Sequence, residues 1–324
     1  MSSKAALDRI FVLELVRVTE AAAVAAAKLI GRGNEKDADQ AAVNAMRNAL
    51  NRIEMDGMVV IGEGERDEAP MLFIGEKVGS GSGTAVDIAL DPLEGTTITA
   101  KGQPDALTIL ALAERGNLLN APDIYMDKIA VGAGYEPGIV ELDRTPAENI
   151  KAVAKAKGVP AEEIMVCILD RPRHADLIRQ VREAGARVML IGDGDVAGII
   201  NTTAPDSDVD LYMGSGGAPE GVLAAAALRC IGGQMQGRLL YRNEEEKQRA
   251  RKWGIEDLDR KYETEEMAKG DVIFSATGVT HGTMLDGVRN IPGGRVSTHT
   301  VVMRSHRKTV RYIKSEHILD KLLD

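Results

Sequence analysis

The stretch Val86–Thr97, VDIALDPLEGTT, decides how this chain is read. Its first half is an apolar strand run carrying one acid, Asp87, and its second half places Asp91, Pro92, Glu94, Gly95 and Thr96 where that strand must end. Pro92 fixes the backbone and Gly95 permits a tight turn, so Asp91 and Glu94 can be aimed at one point. Two carboxylates held that close repel each other. A hard divalent cation removes the repulsion, prefers carboxylate oxygens, and keeps positions for water and a substrate phosphate. Thr96 adds a hydroxyl able to orient a water. Taken alone, the same six residues also suit an Asp-Pro turn that merely ends a strand.

Other acids fall at element ends in the same way. Asp39 opens a helix in DADQAAVNAMRNALNRIEMDG, Glu63 and Glu65 follow the strand run MVVIGEGE, and Glu220 opens a helix in GSGGAPEGV. Folds of the α/β type gather their sites at such ends. Singly, Asp39 and Glu220 read better as residues that cap a helix or complement its dipole.

With 324 residues the chain exceeds what one compact core usually holds, which predicts two subdomains or one large layered domain. Aromatic residues make up only 3%, leaving little for stacking on bases, and a net charge of −9 repels nucleic acid and anionic membrane. Any phosphate partner must therefore be held by a local site. Cys167 and Cys230 sit in apolar runs without metal-ligand spacing, which predicts buried, reduced thiols and a cytoplasmic protein. The apolar N-terminus is interrupted by charges at helical intervals and reads as an amphipathic helix stopped by Gly31, with no run long enough to span a bilayer.

Up to residue 150 the pattern predicts two long helices against a mixed sheet. Beyond it, EEIMVCILD, RHADLIRQVREAG, ARVMLIGDGD, DVDLYMG and PEGVLAAAALRCIGG alternate strand and helix, the rhythm of an α/β layer with parallel pairing. The expected division is thus 1–150, an α+β subdomain with most of the acids, and 151–324, an α/β subdomain. The charged segment from Asn243 to Asp271 reads as a solvated surface excursion.

The motif DPLEGT resembles that of the lithium-sensitive, metal-dependent sugar and inositol phosphatases. Together with VRVTEAAA, GRGN, VVIGEGERDEAPML, NAPDIYMDK, RPRH, DGDVA, GGAPEGV and VIFSATGVT, it makes nearly the whole chain similar to class II fructose-1,6-bisphosphatases. That resemblance implies an α/β fold, a layered α/β/α/β/α sandwich in two subdomains with the active site between them. It implies hydrolysis of the 1-phosphate of fructose-1,6-bisphosphate by a metal-activated water, with two or more Mg²⁺ or Mn²⁺ ions, in a homodimer or homotetramer. Residue by residue it implies metal ligands at Asp39, Glu63, Asp91, Glu94 and Glu220, and catalytic roles for Thr96 and Asp39. Substrate contacts would be Glu94, Gly95, Thr96, Tyr125, Arg171, Pro172, Arg173, Asp193, Gly194, Asp195 and Gly217.

The residues themselves support parts of this. Arg171 and Arg173 can grip a phosphate that is not cleaved, and the N–H groups at Gly217 and the helix start at Pro219 can receive an anionic oxygen. Asp193 and Asp195 suit sugar hydroxyls, although Asp-Gly-Asp also forms turns. None of the five histidines has ligand spacing, and none is assigned a catalytic role. The glycines of GSGSGT and GSGGAPEG fail the dinucleotide fingerprint, since Thr84 and Pro219 stand where the third glycine belongs. A non-catalytic cation-binding protein would leave Thr96 and the arginine pair without a role. Sedoheptulose-1,7-bisphosphate remains the alternative substrate, because the reacting ends of the two ketose bisphosphates are similar.

Overall fold

A computed structural model describes Leu7 and residues 9–64, 71–204 and 207–322; Glu65 lies outside them. In chain order the elements are α1 (Ile10–Ala27), α2 (Glu35–Leu50), β1 (Met55–Ile61), β2 (Lys77–Val78), β3 (Thr84–Glu94), α3 (Thr96–Lys101), β4 (Leu107–Glu114) and β5 (Tyr125–Val131). They continue as α4 (Pro146–Lys157), β6 (Met165–Leu169), α5 (Ala175–Glu183), β7 (Arg187–Ile191), α6 (Asp195–Ile200), β8 (Leu211–Gly217), α7 (Ala218–Ile231) and β9 (Gln234–Leu240). Last come α8 (Glu244–Lys252), β10 (Lys261–Glu263), α9 (Thr264–Met267), β11 (Val272–Gly278), β12 (Arg289–Ile291), β13 (Arg295–Arg304), β14 (Thr309–Ile318) and α10 (Leu319–Leu322).

The first compact unit takes residues 1–119 and 269–324. Its eight-stranded sheet runs β12-β13-β11-β4-β3-β1-β2, with β14 on the other side of β13. Helices α1 and α2 cover one face, burying Leu15, Met46 and Leu50 against Ile88, Leu90, Leu110 and Leu112. The near absence of aromatics is answered by close approach: Ala22, Ala23 and Ala26 of α1 are fully buried. Thr19 adds a polar tie, its hydroxyl 3.0 Å from that of Ser275 and accepting from Thr277 at 2.8 Å, so the buried hydroxyls satisfy one another.

The second unit takes residues 120–268 around a six-stranded sheet, β10-β9-β5-β8-β6-β7. Alternation splits its strands between two faces. Val166, Ile168, Leu211 and Met213 meet Ile150 and Val153 of α4 and Ile178 and Val181 of α5. Cys167 and Tyr212 point the other way, toward α6, where Gly198 lets the helix approach closely: a Cβ there would lie 2.8 Å from Ile191 Cδ1 and 3.2 Å from the Cys167 sulfur. The first unit is thus an α/β pair of layers and the second an α/β/α set, both of the α/β class that the resemblance implies.

The division expected at residue 150 does not match these units. Strand β11 pairs along its whole length with β4 and then with β13, so the chain's last stretch returns to the first sheet. Parallel pairing is confined in the second unit to β6 with β7 and β8, while β5 and β9 run antiparallel. The charged excursion folds as α8, β10 and α9, with Asn243 capping α8 by accepting from Glu246 N–H at 2.9 Å.

Candidate active site

A fault in β3 brings the acids of the first unit together. Asp91 stands opposite Ile109 of β4, but Glu94 stands opposite Leu107, so three steps along β3 match two along β4. In a regular strand, residues three apart point to opposite faces. The extra residue corrects the parity and turns both carboxylates to one face. Pro92, with no N–H to give to a ladder, falls inside this bulge. Leu93 N–H donates to Asp91 Oδ1 at 2.9 Å and pins that side chain. Gly95 then turns the chain at φ 88°, and its carbonyl accepts from Thr99 N–H at 2.9 Å as α3 begins with Thr96.

Asp39 and Glu63 approach the same group. Asp39 does not open its helix: α2 begins at Glu35, and Asn34 caps it by accepting from Asp37 N–H at 3.1 Å. Capping therefore does not explain Asp39. Strand β1 runs parallel to β3, so Glu63, just past its end, is delivered beside the end of β3. Burial, then the charge of Asp91, pushes the Asp39 carboxyl above its ordinary range. Glu63 is pushed up by burial, by the charges of Asp39 and Asp91, and by its hydrogen bond with Asp39. Three such acids cannot all ionise without a counter-charge. An all-carboxylate donor set short of positive charge is what a hard divalent cation fits.

In the second unit the predicted residues are linked through the end of β8. Arg173 lies 4.8 Å over the Tyr125 ring, and it donates to the Ser215 carbonyl from Nε at 3.2 Å and from Nη2 at 2.7 Å. Pro172 begins the short turn that carries Arg173. Arg171 donates to the Gly192 carbonyl and forms an ion pair with Asp193 at 3.7 Å. Gly194 precedes α6 at φ 80°, and Asp195 is its first residue. Asp195 is buried, its carboxylate paired with the fully buried Lys128, whose ammonium also donates to the Gly217 carbonyl at 2.9 Å.

The glycines of GSGG make room for carboxylates. A Cβ on Gly216 would stand 2.1 Å from Asp195 Oδ2, and one on Gly217 would stand 1.8 Å from Glu220 Oε2. The Glu220 carboxylate thus folds back over the start of α7, the place expected to receive an anionic oxygen from substrate. His174 has a structural part: its Nε2 accepts from Ser215 N–H at 2.9 Å, so Nδ1 carries the proton given to the Leu169 carbonyl at 2.8 Å. Burial, first among its influences, holds the ring below the ordinary imidazole value.

Reading the sequence missed Lys128, Ser215 and Arg242, whose guanidinium lies 5.5 Å from the Tyr125 ring. Lys128 left a signal. In a two-sided strand the adjacent pair Asp127-Lys128 must send one charge to each face, and each face of this sheet is covered.

The family described as bacterial fructose-1,6-bisphosphatase, glpX-encoded, matches residues 9–317. Fructose-1,6-bisphosphatase 1 class 2 of Escherichia coli K12 is 48% identical over 329 aligned positions, covering 97% of each chain. The class 2 enzyme of Shigella flexneri matches equally well. Among solved structures, the extragenic suppressor protein SuhB of Bartonella henselae aligns at TM-score 0.34 and 15% identity, over 60% of this chain and 73% of that one, too weak a likeness to argue from. Identity near one half across almost the full length leaves one conclusion: the chain belongs to the glpX-encoded, class 2 family of bacterial fructose-1,6-bisphosphatases.

Proposed function

We propose that the chain hydrolyses the 1-phosphate of fructose-1,6-bisphosphate, releasing fructose-6-phosphate and phosphate, with Mg²⁺ or Mn²⁺ as its cations and the cytoplasm as its place of work. The observation that carries this reading is the bulge of β3, which turns Asp91 and Glu94 to one face beside a proton-retaining Asp39–Glu63 pair. Asp39, Glu63, Asp91 and Glu94, with Glu220, would hold the cations. Bound there, they would offset the charge of the phosphate and make a water more acidic.

The chain's own groups do the rest. Thr96 Oγ1 orients the attacking water, and the Asp39 carboxylate takes its proton. Arg171 and Arg173 hold the phosphate that stays. Arg173 spends Nε and Nη2 on Ser215, so Nη1 is the donor assigned to that phosphate. Tyr125, under the same guanidinium, fixes its plane. Asp193 and Asp195 accept from sugar hydroxyls. Lys128 engages Oδ2 of Asp195, which assigns Oδ1 to the sugar.

Phosphate release tests the reading across fructose-1,6-bisphosphate, sedoheptulose-1,7-bisphosphate and inositol-1-phosphate, with Mg²⁺, with Mn²⁺ and with EDTA. Fructose-1,6-bisphosphate should turn over fastest and EDTA should abolish activity. Turnover undiminished by chelation, or preference for inositol-1-phosphate, overturns it; equal use of both ketose bisphosphates makes the enzyme dual-specific.

A further inference from the structure

We propose that β14 is the surface through which two copies of this chain pair, edge to edge and antiparallel, with Ser315 facing Ser315 on the two-fold axis. The strand is ten residues long and pairs with β13 along all of it, from Arg295 opposite Ile318 to Arg304 opposite Thr309. No other described strand pairs with it. It contains neither Pro nor Gly and no bulge interrupts its register, so its outer side offers an unbroken row of backbone donors and acceptors.

Exposed apolar side chains collect along the same edge. Among the described residues seven large ones stand exposed, and five belong to β14 and α1: Val310, Tyr312 and Ile318 on the strand, Ile10 and Leu13 on the helix. Leu13 shares with Ile313, Ser315 and His317 a groove of about 530 Å³. Scattered exposed residues mean little, but a concentration at one sheet edge marks an interaction surface.

Self-complementarity identifies the occupant as a second copy. Outward backbone groups come from alternate residues, so identical antiparallel edges can pair only residues of equal parity, and the two-fold axis must fall on a residue. An axis on Lys314 or Glu316 sets like charges face to face. On Ile313 it sets Val310 against Glu316. On Ser315 it sets Lys314 against Glu316 twice and Tyr312 against Ile318 twice, the pairings that stabilise neighbouring strands. Within each chain Lys314 already binds Asp286 at 2.8 Å and Glu316 binds Arg295. The two copies would therefore share a row of alternating charge, Asp286, Lys314, then Glu316 and Arg295 of the second copy, and join their eight-stranded sheets into one.

Light scattering on the full chain, with circular dichroism to confirm folding, tests this. Lys314→Glu should halve the mass of the assembly, and Lys314→Glu with Glu316→Lys should restore it. Ser315→Cys should give a disulfide-linked dimer under mild oxidation, reversed by reductant, because a facing pair is within disulfide reach and Cys167 and Cys230 are both buried. A monomeric native chain, an unchanged mass for Lys314→Glu, no recovery in the charge-swapped variant, or no crosslink in the Ser315→Cys variant overturns the proposal.

Discussion

Lys128 is fully buried, yet its ammonium ties the first residue of α6 to the last residue of β8. Lys128→Met would leave the Asp195 carboxylate buried without a counter-charge, which costs about 3–5 kcal/mol. Adding Asp195→Asn removes that charge and should recover much of the stability, measured by urea denaturation. It should not recover turnover, because Asp195 is assigned to the sugar; recovery of both would remove that assignment. At Arg173, replacement by Ala should harm a bisphosphate far more than a simple phosphate monoester. Arg173→Lys should rescue only in part, since an ammonium cannot reproduce the planar fork held by Ser215 and Tyr125. Equal losses on both substrates would place the residue's role in folding. Thr96→Ala should fold and bind substrate, yet lose roughly two orders of magnitude in kcat, the scale of a positioned proton-transfer group. Single turnover in ¹⁸O-water should put label in the phosphate, and label found in Asp91 would make that residue the nucleophile.

The bulge of β3 extends the argument to the element. Glu94→Gln would leave the bulge and the facing of residue 94 as they are and remove the carboxylate beside Asp91. The variant should keep its sheet by circular dichroism but bind Mn²⁺ at least tenfold more weakly by calorimetry; native affinity would show that Glu94 is no ligand. The sequence displayed the acids, the proline and the glycine of this element, because each is a property of one residue. It could not display the parity that unites Asp91 with Glu94, since that exists only relative to β4. The same limit explains α2, where Asn34 was a better cap than the aspartates after it, and Lys128, whose partner lies 67 residues away. Elements with an internal period, such as α1 and β6, were legible throughout.

At the scale of the whole chain, a change in local rhythm near residue 150 suggested a boundary that sheet pairing does not respect, because β4 and β11 find each other across more than half the sequence. The carboxylate cluster acts at this scale too, through stability. Asp39 and Glu63 are both held above their unfolded values, so without cations the folded chain keeps protons that the unfolded chain releases. Where the folded state binds more protons, stability falls as pH rises. The stabilising preference is therefore complete below the ordinary carboxylate range and is lost as pH climbs through the raised values. A divalent cation competes with those protons and removes the repulsion, so it should stabilise more at high pH than at low. The Tm of the metal-free protein should accordingly drop between about pH 5 and about pH 8, and saturating Mg²⁺ should raise it more at the upper pH. Glu63→Gln, which has no proton to lose, should flatten the metal-free profile and blunt the response to Mg²⁺. A native profile already flat over that interval, or a Mg²⁺ effect independent of pH, would mean that the acids are not close enough to share protons and would remove the electrostatic basis for a cation at this place.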